Sequence, residues 1–254
     1  MKLTLVTPTG DRPEAFALCE KYMDRQTRKD AICQWIVLDD GDVPTNCTKG
    51  QDLARNTGWK GFNSLANKIR YLLESRFVQG DVLVFIEDDD WYHPEYLATV
   101  IKRMEEGFSL IGEGDALYYN VEMRWWCTHS NMGHASLCQT AIHRSLLDAL
   151  LKHLISDPNP FIDSRIWQWN TVSKKVFPPD PKIGRTCIGI KSMPGRKGYG
   201  VGHTVNRTGR HAQRPVNEDP TMTKLISLIG DDADAYIKYA YKKPEQMNPM
   251  LLEN

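Results

Sequence analysis

Long apolar runs are missing from the sequence, and no stretch approaches the roughly 18 to 20 apolar residues that a membrane-spanning helix needs. Residues 1–7 form too short an apolar run for a signal peptide and contain no cleavage site. The six cysteines include no Cys-x-x-Cys pair, which argues against a zinc or disulfide framework. The formal net charge is zero, so the overall charge does not indicate binding to nucleic acid or membrane. These absences predict a soluble, cytoplasmic protein with no membrane span.

Internal repeats and low-complexity tracts are also missing, and no Gly-x-Gly-x-x-Gly follows the first predicted strand, which argues against a dinucleotide site. The 254 residues have an ordinary globular composition and suffice for one large domain. We expect this domain to cover residues 1–216, with a first half at 1–106 and a second half at 107–216. Amphipathic spacing beyond it predicts a C-terminal helical extension over residues 217–254.

Four carboxylates follow the most apolar predicted strand. Residues 82–86 are a continuous apolar run, which predicts a strand buried on both faces of a parallel sheet. Glu87, Asp88, Asp89 and Asp90 come directly after it. Like charges this close are costly unless a cation lies among them, and such oxygen ligands suit Mg²⁺ or Mn²⁺. The alternative is a solvated acidic turn that caps a helix beginning at Pro94.

The N-terminal segment predicts a strand, a helix and a second strand. The strands are expected at residues 3–6 and 35–38, and the helix begins at Pro13. Asp39 and Asp40 follow the second strand. Because open α/β sheets bind ligands outside the carboxyl ends of their strands, this pattern predicts a nucleotide-binding unit. Residues 43–59 are predicted to form a surface loop, and the spacing over 62–73 predicts an amphipathic helix.

Residues 86–97, Ile-Glu-Asp-Asp-Asp-Trp-Tyr-His-Pro-Glu-Tyr-Leu, resemble the metal-binding Asp-x-Asp segment of family 2 glycosyltransferases. Residues 6–13 and 36–41 resemble that family's first two motifs. The resemblance implies the α/β GT-A fold, which is Rossmann-like with a mostly parallel central sheet flanked by helices. It also implies that residues 1–106 bind a nucleotide sugar and that residues 107–216 bind the acceptor.

The resemblance also implies roles for individual residues. Asp89 would bind the metal, with Glu87 standing in place of the family's first Asp, and His203 would complete the metal site. Asp39 would accept a hydrogen bond from the base, most often uracil. Residues 65–68 stand where the family has Ala-Arg-Asn, so Lys68 or Arg70 would replace the arginine. The candidate donor-binding residues are Pro8, Thr9, Arg12, Asp39, Asp40, Asn67, Lys68, Glu87, Asp88, Arg196 and Lys197.

Residues 161–169 predict a short helix with one apolar face, from which Asp163 stands apart. In the family a Glu-Asp-x-x-Leu-Trp segment occupies this place, and its Asp is the catalytic base. Here Ile162 replaces the Glu, while Asp163 and the Ile166-Trp167 pair match. The resemblance therefore implies that Asp163 takes the proton of the acceptor hydroxyl. The alternative is an acid that interacts with a helix dipole.

Residues 181–216 contain eight lysines and arginines and no acid. Together with its glycines, this composition predicts a mobile loop that closes over a diphosphate through Arg196 and Lys197. The same segment could instead follow a nucleic-acid backbone. Trp125 and Trp126 are expected either in a core or stacked on sugar rings. Four other histidines, at positions 129, 134, 143 and 153, are assigned structural or surface roles.

These observations predict a metal-dependent, inverting hexosyltransferase with Mn²⁺ or Mg²⁺ as cofactor. The donor would be a nucleotide-diphosphate sugar, with UDP favoured. The acceptor would be a hydroxyl of a glycan, a small molecule or modified DNA. One alternative keeps the chemistry and specifies a hydroxymethylated DNA base as acceptor, and another is a non-catalytic nucleotide-sugar-binding protein. The C-terminal helices would pack on the domain or form a homodimer.

Overall fold

The described part of the chain, which in this computed structural model comprises residues 1–196, 198 and 216–239, contains both strands and helices. The strands are β1 (Leu3–Thr9), β2 (Ile32–Asp39), β3 (Asp52–Arg55), β4 (Val82–Phe85), β5 (Trp91–Tyr92), β6 (Leu110–Glu113), β7 (Ala116–Asn120), β8 (Trp125–His129), β9 (Thr140–His143), β10 (Lys174–Phe177), β11 (Cys187–Lys191) and β12 (Asn217–Glu218). The helices are α1 (Pro13–Asp24), α2 (Ser64–Glu74), α3 (Tyr96–Met104), α4 (Leu147–Ser156), α5 (Ile162–Ile166) and α6 (Thr223–Ile229). Among these residues, none of the helices has the length and apolar content needed to cross a membrane.

The central sheet has seven strands within the described ranges, in the order β10-β6-β9-β4-β1-β2-β3. Strand β9 runs antiparallel to both of its neighbours, and the other pairings are parallel. The predicted mostly parallel α/β sheet is therefore confirmed. The carboxyl ends of β1, β2 and β4 lie at one edge, with Thr9 opposite Asp39.

Both faces of this sheet are covered by helices, which explains why β4 is apolar at every position. Side chains alternate between two core clusters, so that Val84 faces one and Phe85 the other. Helices α1 and α3 contribute to the first cluster. Helices α2, α4 and α5 contribute to the second. The sheet edge that carries the acidic segment is thus held between two packed layers.

A smaller sheet in the order β12-β8-β7-β11-β5 adjoins the central one. Strand β11 runs parallel to β7 and antiparallel to β5, which follows the acidic segment directly. This pairing brings the end of β11, at Lys191, next to residues 87–90. The tryptophans of β8 have packing roles, since Trp125 is buried in a small core cluster and Trp126 lies beneath Lys224.

The prediction of a loop over residues 43–59 is wrong in part. Residues 52–55 form β3, which pairs in parallel with β2 at the sheet edge. Most of its side chains are exposed, so its place depends on backbone hydrogen bonds to β2 and leaves no apolar pattern in the sequence.

The described part of the predicted C-terminal extension joins the core of the domain. Leu225 and Tyr236 are buried in the first core cluster, on α6 and on the following 3₁₀ helix Gly230–Tyr239. The Tyr236 and Tyr22 hydroxyls lie 2.8 Å apart, and the Trp91 indole N–H donates to Asp232 Oδ2 at 2.8 Å. This segment therefore packs on α1 and β5.

We expect Leu225→Ala to destabilise the protein by about 2–5 kcal/mol, because the truncation would leave a cavity in the shared core. Ile226, the next residue of α6, is 51% exposed and provides a matched control. Ile226→Ala should change the free energy of unfolding by roughly 0.5 kcal/mol or less. Urea unfolding followed by circular dichroism measures both values. Equally small effects would mean that α6 adds nothing to the core.

Candidate active site

The acidic segment after β4 is buried. The backbone N–H of Ile86 still donates to Val6, so the chain leaves the sheet only at Glu87. Asp88, Asp89 and Asp90 are then no more than 6% exposed. Burial raises the pKa of the Asp88 and Asp90 carboxyls above their usual values. A solvated acidic turn is therefore not what forms here.

Two cations from distant parts of the chain lie against these carboxylates. Arg12, which precedes α1, places Nη1 2.8 Å from Asp88 Oδ1 and 3.2 Å from Asp89 Oδ2. Lys191 places Nζ 2.8 Å from Asp90 Oδ1. Burial opposes the charge of Lys191, but Asp89, Asp90 and Glu87 outweigh it and raise the lysine's pKa well above its usual value. The segment is thus stabilised by internal ion pairs.

A second ionic cluster lies beside the first, around Asp40. Lys68 Nζ is 2.8 Å from Asp40 Oδ1, Ser64 Oγ donates to Oδ2 at 2.6 Å, and Arg196 also hydrogen-bonds to this carboxylate. Burial by itself raises the pKa of Asp40, but the hydrogen bonds from Arg196, Lys68 and Ser64 outweigh it and lower the pKa to about 2. A Cβ at position 10 would overlap with Asp40 and Arg196, so this close approach requires Gly10.

Both clusters open into one cavity of about 390 Å³. Its lining residues are Pro8, Thr9, Gly10, Arg12, Gly61, Phe62, Ser64, Leu65, Lys68, Glu87, Asp88, Asp89, Tyr118, His129, His134, Ser136, Leu137, Pro160, Phe161, Asp163, Ser164, Lys191, Arg196 and Gly198. Four basic side chains therefore share this space with four carboxylates.

Asp163 reaches the cavity from α5, whose buried residues Ile162 and Ile166 hold the helix in the second core cluster. Burial raises the pKa of the Asp163 carboxyl, and the backbone N–H of Ser164 and the nearby His134 offset part of that rise. The carboxylate forms no ion pair within the described residues. It is therefore available to accept a proton from a bound molecule.

Most of the predicted donor-binding residues meet at this cavity, and three do not. Asp40 lies behind Lys68 and Arg196, and Asn67 is outside the lining. Asp39 is fully buried in its turn, where its oxygens accept the backbone N–H groups of Gly41 at 2.7 Å and Thr45 at 2.9 Å.

Three further predictions concern individual basic or metal-binding residues. Lys68 lines the cavity, whereas Arg70 pairs with Glu74 on the exposed face of α2. Lys197 and His203 lie outside the described residues.

The structure adds cavity residues that the sequence did not single out. In the sequence, Lys191 was one of eight cations in a basic segment and was not singled out. Its place directly after the uncharged residues 187–190, at the end of a predictable strand, could have marked it as a site residue. His129 and His134 line the cavity with their rings 5.5 Å apart, where the sequence had suggested structural or surface roles. Phe62 and Phe161 lie edge to face at 6.4 Å and are both exposed.

The oxygens of Glu87, Asp89 and Asp90 lie within 4.8 Å of one another, so this cluster could hold a metal ion. Mg²⁺ would approach such oxygens to about 2.1 Å. The Lys191 ammonium, however, already lies among the same three carboxylates, at 2.8 Å from Asp90 Oδ1, 3.7 Å from Asp89 Oδ1 and 3.9 Å from Glu87 Oε2. The carboxylates suit a metal, but with Lys191 in this position the site does not fit one.

Comparisons with known proteins bear on the fold. No protein-family model matches the sequence, and no curated protein matches it. S. aureus TarS 1–349, solved in complex with UDP-GlcNAc, matches with a TM-score of 0.50 and 13% identity over 78% of this chain and 60% of TarS. The resemblance to TarS supports the α/β class already visible in the sheet topology.

Two other solved structures match with lower TM-scores. The mannosyltransferase PcManGT from Pyrobaculum calidifontis, in complex with GDP-Man and Mn²⁺, has a TM-score of 0.45 and 14% identity over 70% of this chain and 55% of that one. A197 from STIV has a TM-score of 0.39 and 14% identity over 70% of this chain and 82% of that one. The chain spans less than two thirds of the length of TarS and of PcManGT.

We expect Asp40→Asn to lower stability at neutral pH and to flatten its dependence on acid. A folded-state pKa of about 2 lies below the unfolded value, so the ionised carboxylate stabilises the fold above about pH 4. That contribution, about 2 kcal/mol, is lost as the pH falls from about 4 to about 2. Urea unfolding between pH 7 and 2.5 measures it, with Asp148→Asn on the exposed surface as the control. The same pH profile of stability in the wild type, Asp40→Asn and Asp148→Asn would contradict the assignment of this contribution to the Asp40 carboxylate.

Proposed function

We propose that the protein is an inverting glycosyltransferase that moves a hexose from a nucleoside-diphosphate sugar to an acceptor hydroxyl. One observation carries the proposal. Arg12, Lys68, Lys191 and Arg196 share a cavity at the carboxyl edge of a mostly parallel sheet with Asp163, a carboxylate outside any ion pair of the described residues. Cationic groups of this kind suit a diphosphate, and an available carboxylate suits proton removal.

The position of the cavity supports a nucleotide donor. Open α/β sheets bind ligands beyond the carboxyl ends of their strands, which is where Pro8, Thr9 and Gly10 border the cavity. TarS, which shares the fold, was solved with UDP-GlcNAc. This agrees with the UDP-sugar that the sequence resemblance implies, and we take UDP as the first donor to test.

The proposed reaction is a single displacement. The acceptor oxygen attacks the anomeric carbon while its proton moves to the Asp163 carboxylate. The bond from the anomeric carbon to the phosphate oxygen breaks, and the nucleoside diphosphate leaves with that electron pair. Arg12, Lys68 and Arg196 would balance the charge that develops on the leaving group. A buried site strengthens these interactions because little water competes for the same groups.

Inversion follows because the other carboxylates of the cavity are paired with cations. Glu87, Asp88 and Asp89 each lie within 4.0 Å of Arg12 or Lys191. A carboxylate held by a cation is a poor nucleophile, so these groups are unsuited to forming a covalent sugar intermediate. With Asp163 as base and no second carboxylate outside an ion pair among the described residues that line the cavity, one displacement inverts the anomeric centre.

The metal predicted from the sequence, Mn²⁺ or Mg²⁺, would have to replace Lys191 among the acidic oxygens. We therefore assign no step to a metal. The homodimer expected through the C-terminal helices stays a hypothesis, in which Ile226 and Ile237 are the exposed apolar side chains that the described part of this segment offers to a partner.

The proposal is tested by incubating the protein with a panel of nucleotide sugars and acceptor classes. The acceptors should include glycans, small hydroxyl compounds and duplex DNA carrying hydroxymethylated bases. Mass spectrometry would detect the released nucleoside diphosphate and the glycosylated acceptor. Tight nucleotide-sugar binding without release in any combination would favour the alternative of a non-catalytic binding protein.

We expect Asp163→Asn to lower turnover by about 10²–10⁴-fold and to leave the Kd of the nucleotide sugar unchanged, because a base acts only in the transition state. Since burial raises the pKa of Asp163, the wild-type rate should fall on acidification at a higher pH than an ordinary aspartate would give. Calorimetry and a pH profile of kcat/KM provide the two measurements. Asp148→Asn, which alters an exposed aspartate away from α5, is the matched control. Near-normal turnover in Asp163→Asn would remove the residue from the mechanism.

We expect Arg196→Ala to weaken UDP binding at least tenfold and uridine binding by less than twofold, because only the diphosphate needs a cation. Titration calorimetry with both ligands measures the difference. Arg28→Ala removes an exposed arginine paired with Asp30 and should behave like the wild type. Equal losses for UDP and uridine would indicate that Arg196 supports the fold of the site instead.

A further inference from the structure

Lys191 is, with Lys68, one of the two most buried cations of the cavity. It ends β11, is only 5% exposed, and directs Nζ to Glu87, Asp89 and Asp90, the three carboxylates that come close enough together to hold a metal ion. Its distances to their oxygens, 2.8–3.9 Å, place the ammonium among all three side chains. One position therefore serves either an ammonium or a divalent ion.

The two cations exclude each other. An ion bound at about 2.1 Å from these oxygens would lie next to the ammonium, and the two positive charges would repel without water between them. Once Lys191 and Arg12 are paired with the acids, the cluster also has less negative charge to offer an ion. The arrangement favours the lysine as long as β11 holds it in place.

Strand β11 does hold it in place. Lys191 is opposite Asn120 in the parallel pairing with β7, and its carbonyl accepts the Val121 N–H at 3.0 Å. The preceding residue, Ile190, donates its own N–H to Asp90 Oδ1 at 3.0 Å. Asp90 is thus bound by the backbone and the side chain of the same strand. The backbone of Lys191 is therefore fixed in an internal strand, and its side chain, only 5% exposed, extends from that strand into the acidic cluster.

We propose that Lys191 is the permanent cation of this acidic cluster and that the protein binds its diphosphate donor without a divalent metal. The inference rests on the proposed function and departs from the metal dependence that the sequence resemblance implies. Lys191 also lines the cavity, so the charge that balances the acids faces the space assigned to the diphosphate. A lysine then takes the place that Mn²⁺ or Mg²⁺ would occupy.

The first test measures Mn²⁺ binding directly, by titration followed by electron paramagnetic resonance. Wild-type protein should show no site that fills below millimolar Mn²⁺. Lys191→Met shortens the side chain by one heavy atom and removes its charge, so it should bind Mn²⁺ at least tenfold more tightly than the wild type. Lys175→Met alters an exposed lysine on β10 and should behave like the wild type. Tight Mn²⁺ binding by the wild type would overturn the proposal.

Lys191→Arg provides a second variant if Lys191→Met does not fold, as judged by circular dichroism. Arginine keeps the positive charge, so Lys191→Arg should still exclude Mn²⁺. If Lys191→Met folds and gains no affinity for Mn²⁺, or if Lys191→Arg binds the ion tightly, then Lys191 is not what keeps a metal out.

The second test uses wild-type protein and UDP, titrated in EDTA and in 1 mM Mn²⁺. The Kd should agree within twofold. If UDP binds at least tenfold more tightly in Mn²⁺ than in EDTA, the inference that the donor binds without a metal is wrong. The proposed transferase function would still stand. If neither UDP nor any other nucleoside diphosphate binds under either condition, the proposed function is refuted. The inference that the donor binds without a divalent metal is then refuted as well. The Mn²⁺ titration would still decide whether Lys191 occupies the cluster.

Discussion

Burial of consecutive carboxylates at the end of β4 is the constraint on which the rest of the site depends. Ionised acids this close are tolerated in a low-dielectric interior only when cations are fixed against them. Arg12 meets Asp88 and Asp89 from the start of α1, and Lys191 meets Asp90 from the end of β11. The central sheet, the smaller sheet and the first helix are therefore joined through one set of ion pairs. Loss of either cation would leave a buried charge without compensation.

The same ion pairs prepare the cavity for an anionic ligand. With Arg12 and Lys191 holding the acids and Lys68 and Arg196 holding Asp40, each cation is fixed in position before a ligand arrives. A preorganised cation pays little conformational entropy when it meets a phosphate. Asp163 differs from the other cavity carboxylates because it lies outside these pairs within the described residues. That difference separates a group that can accept a proton from groups that hold the site together.

Several features of the fold and site were predictable because they are local. The unbroken, largely β-branched apolar run over residues 82–86 favours a buried strand, and acids that directly follow such a strand lie at the sheet edge. The spacing around Asp163 likewise predicted a short helix with the carboxylate off its apolar face. Strand β3 was missed, since an exposed edge strand is held by backbone pairing that leaves no side-chain pattern.

By itself the sequence determined the mostly parallel α/β class, the acidic edge after β4 and the short helix that carries Asp163, because each depends on neighbours within a few residues. Only the tertiary structure decided which cation accompanies the acids. Lys191 is 101 residues from Asp90 and Arg12 is 76 residues from Asp88, so strand pairing and not spacing brings them together. It also decided that the Asp40 carboxylate is paired with Lys68 and Arg196. The physical reason is that a carboxylate's chemistry is set by the charges and donors within a few ångströms of it, and folding chooses those neighbours.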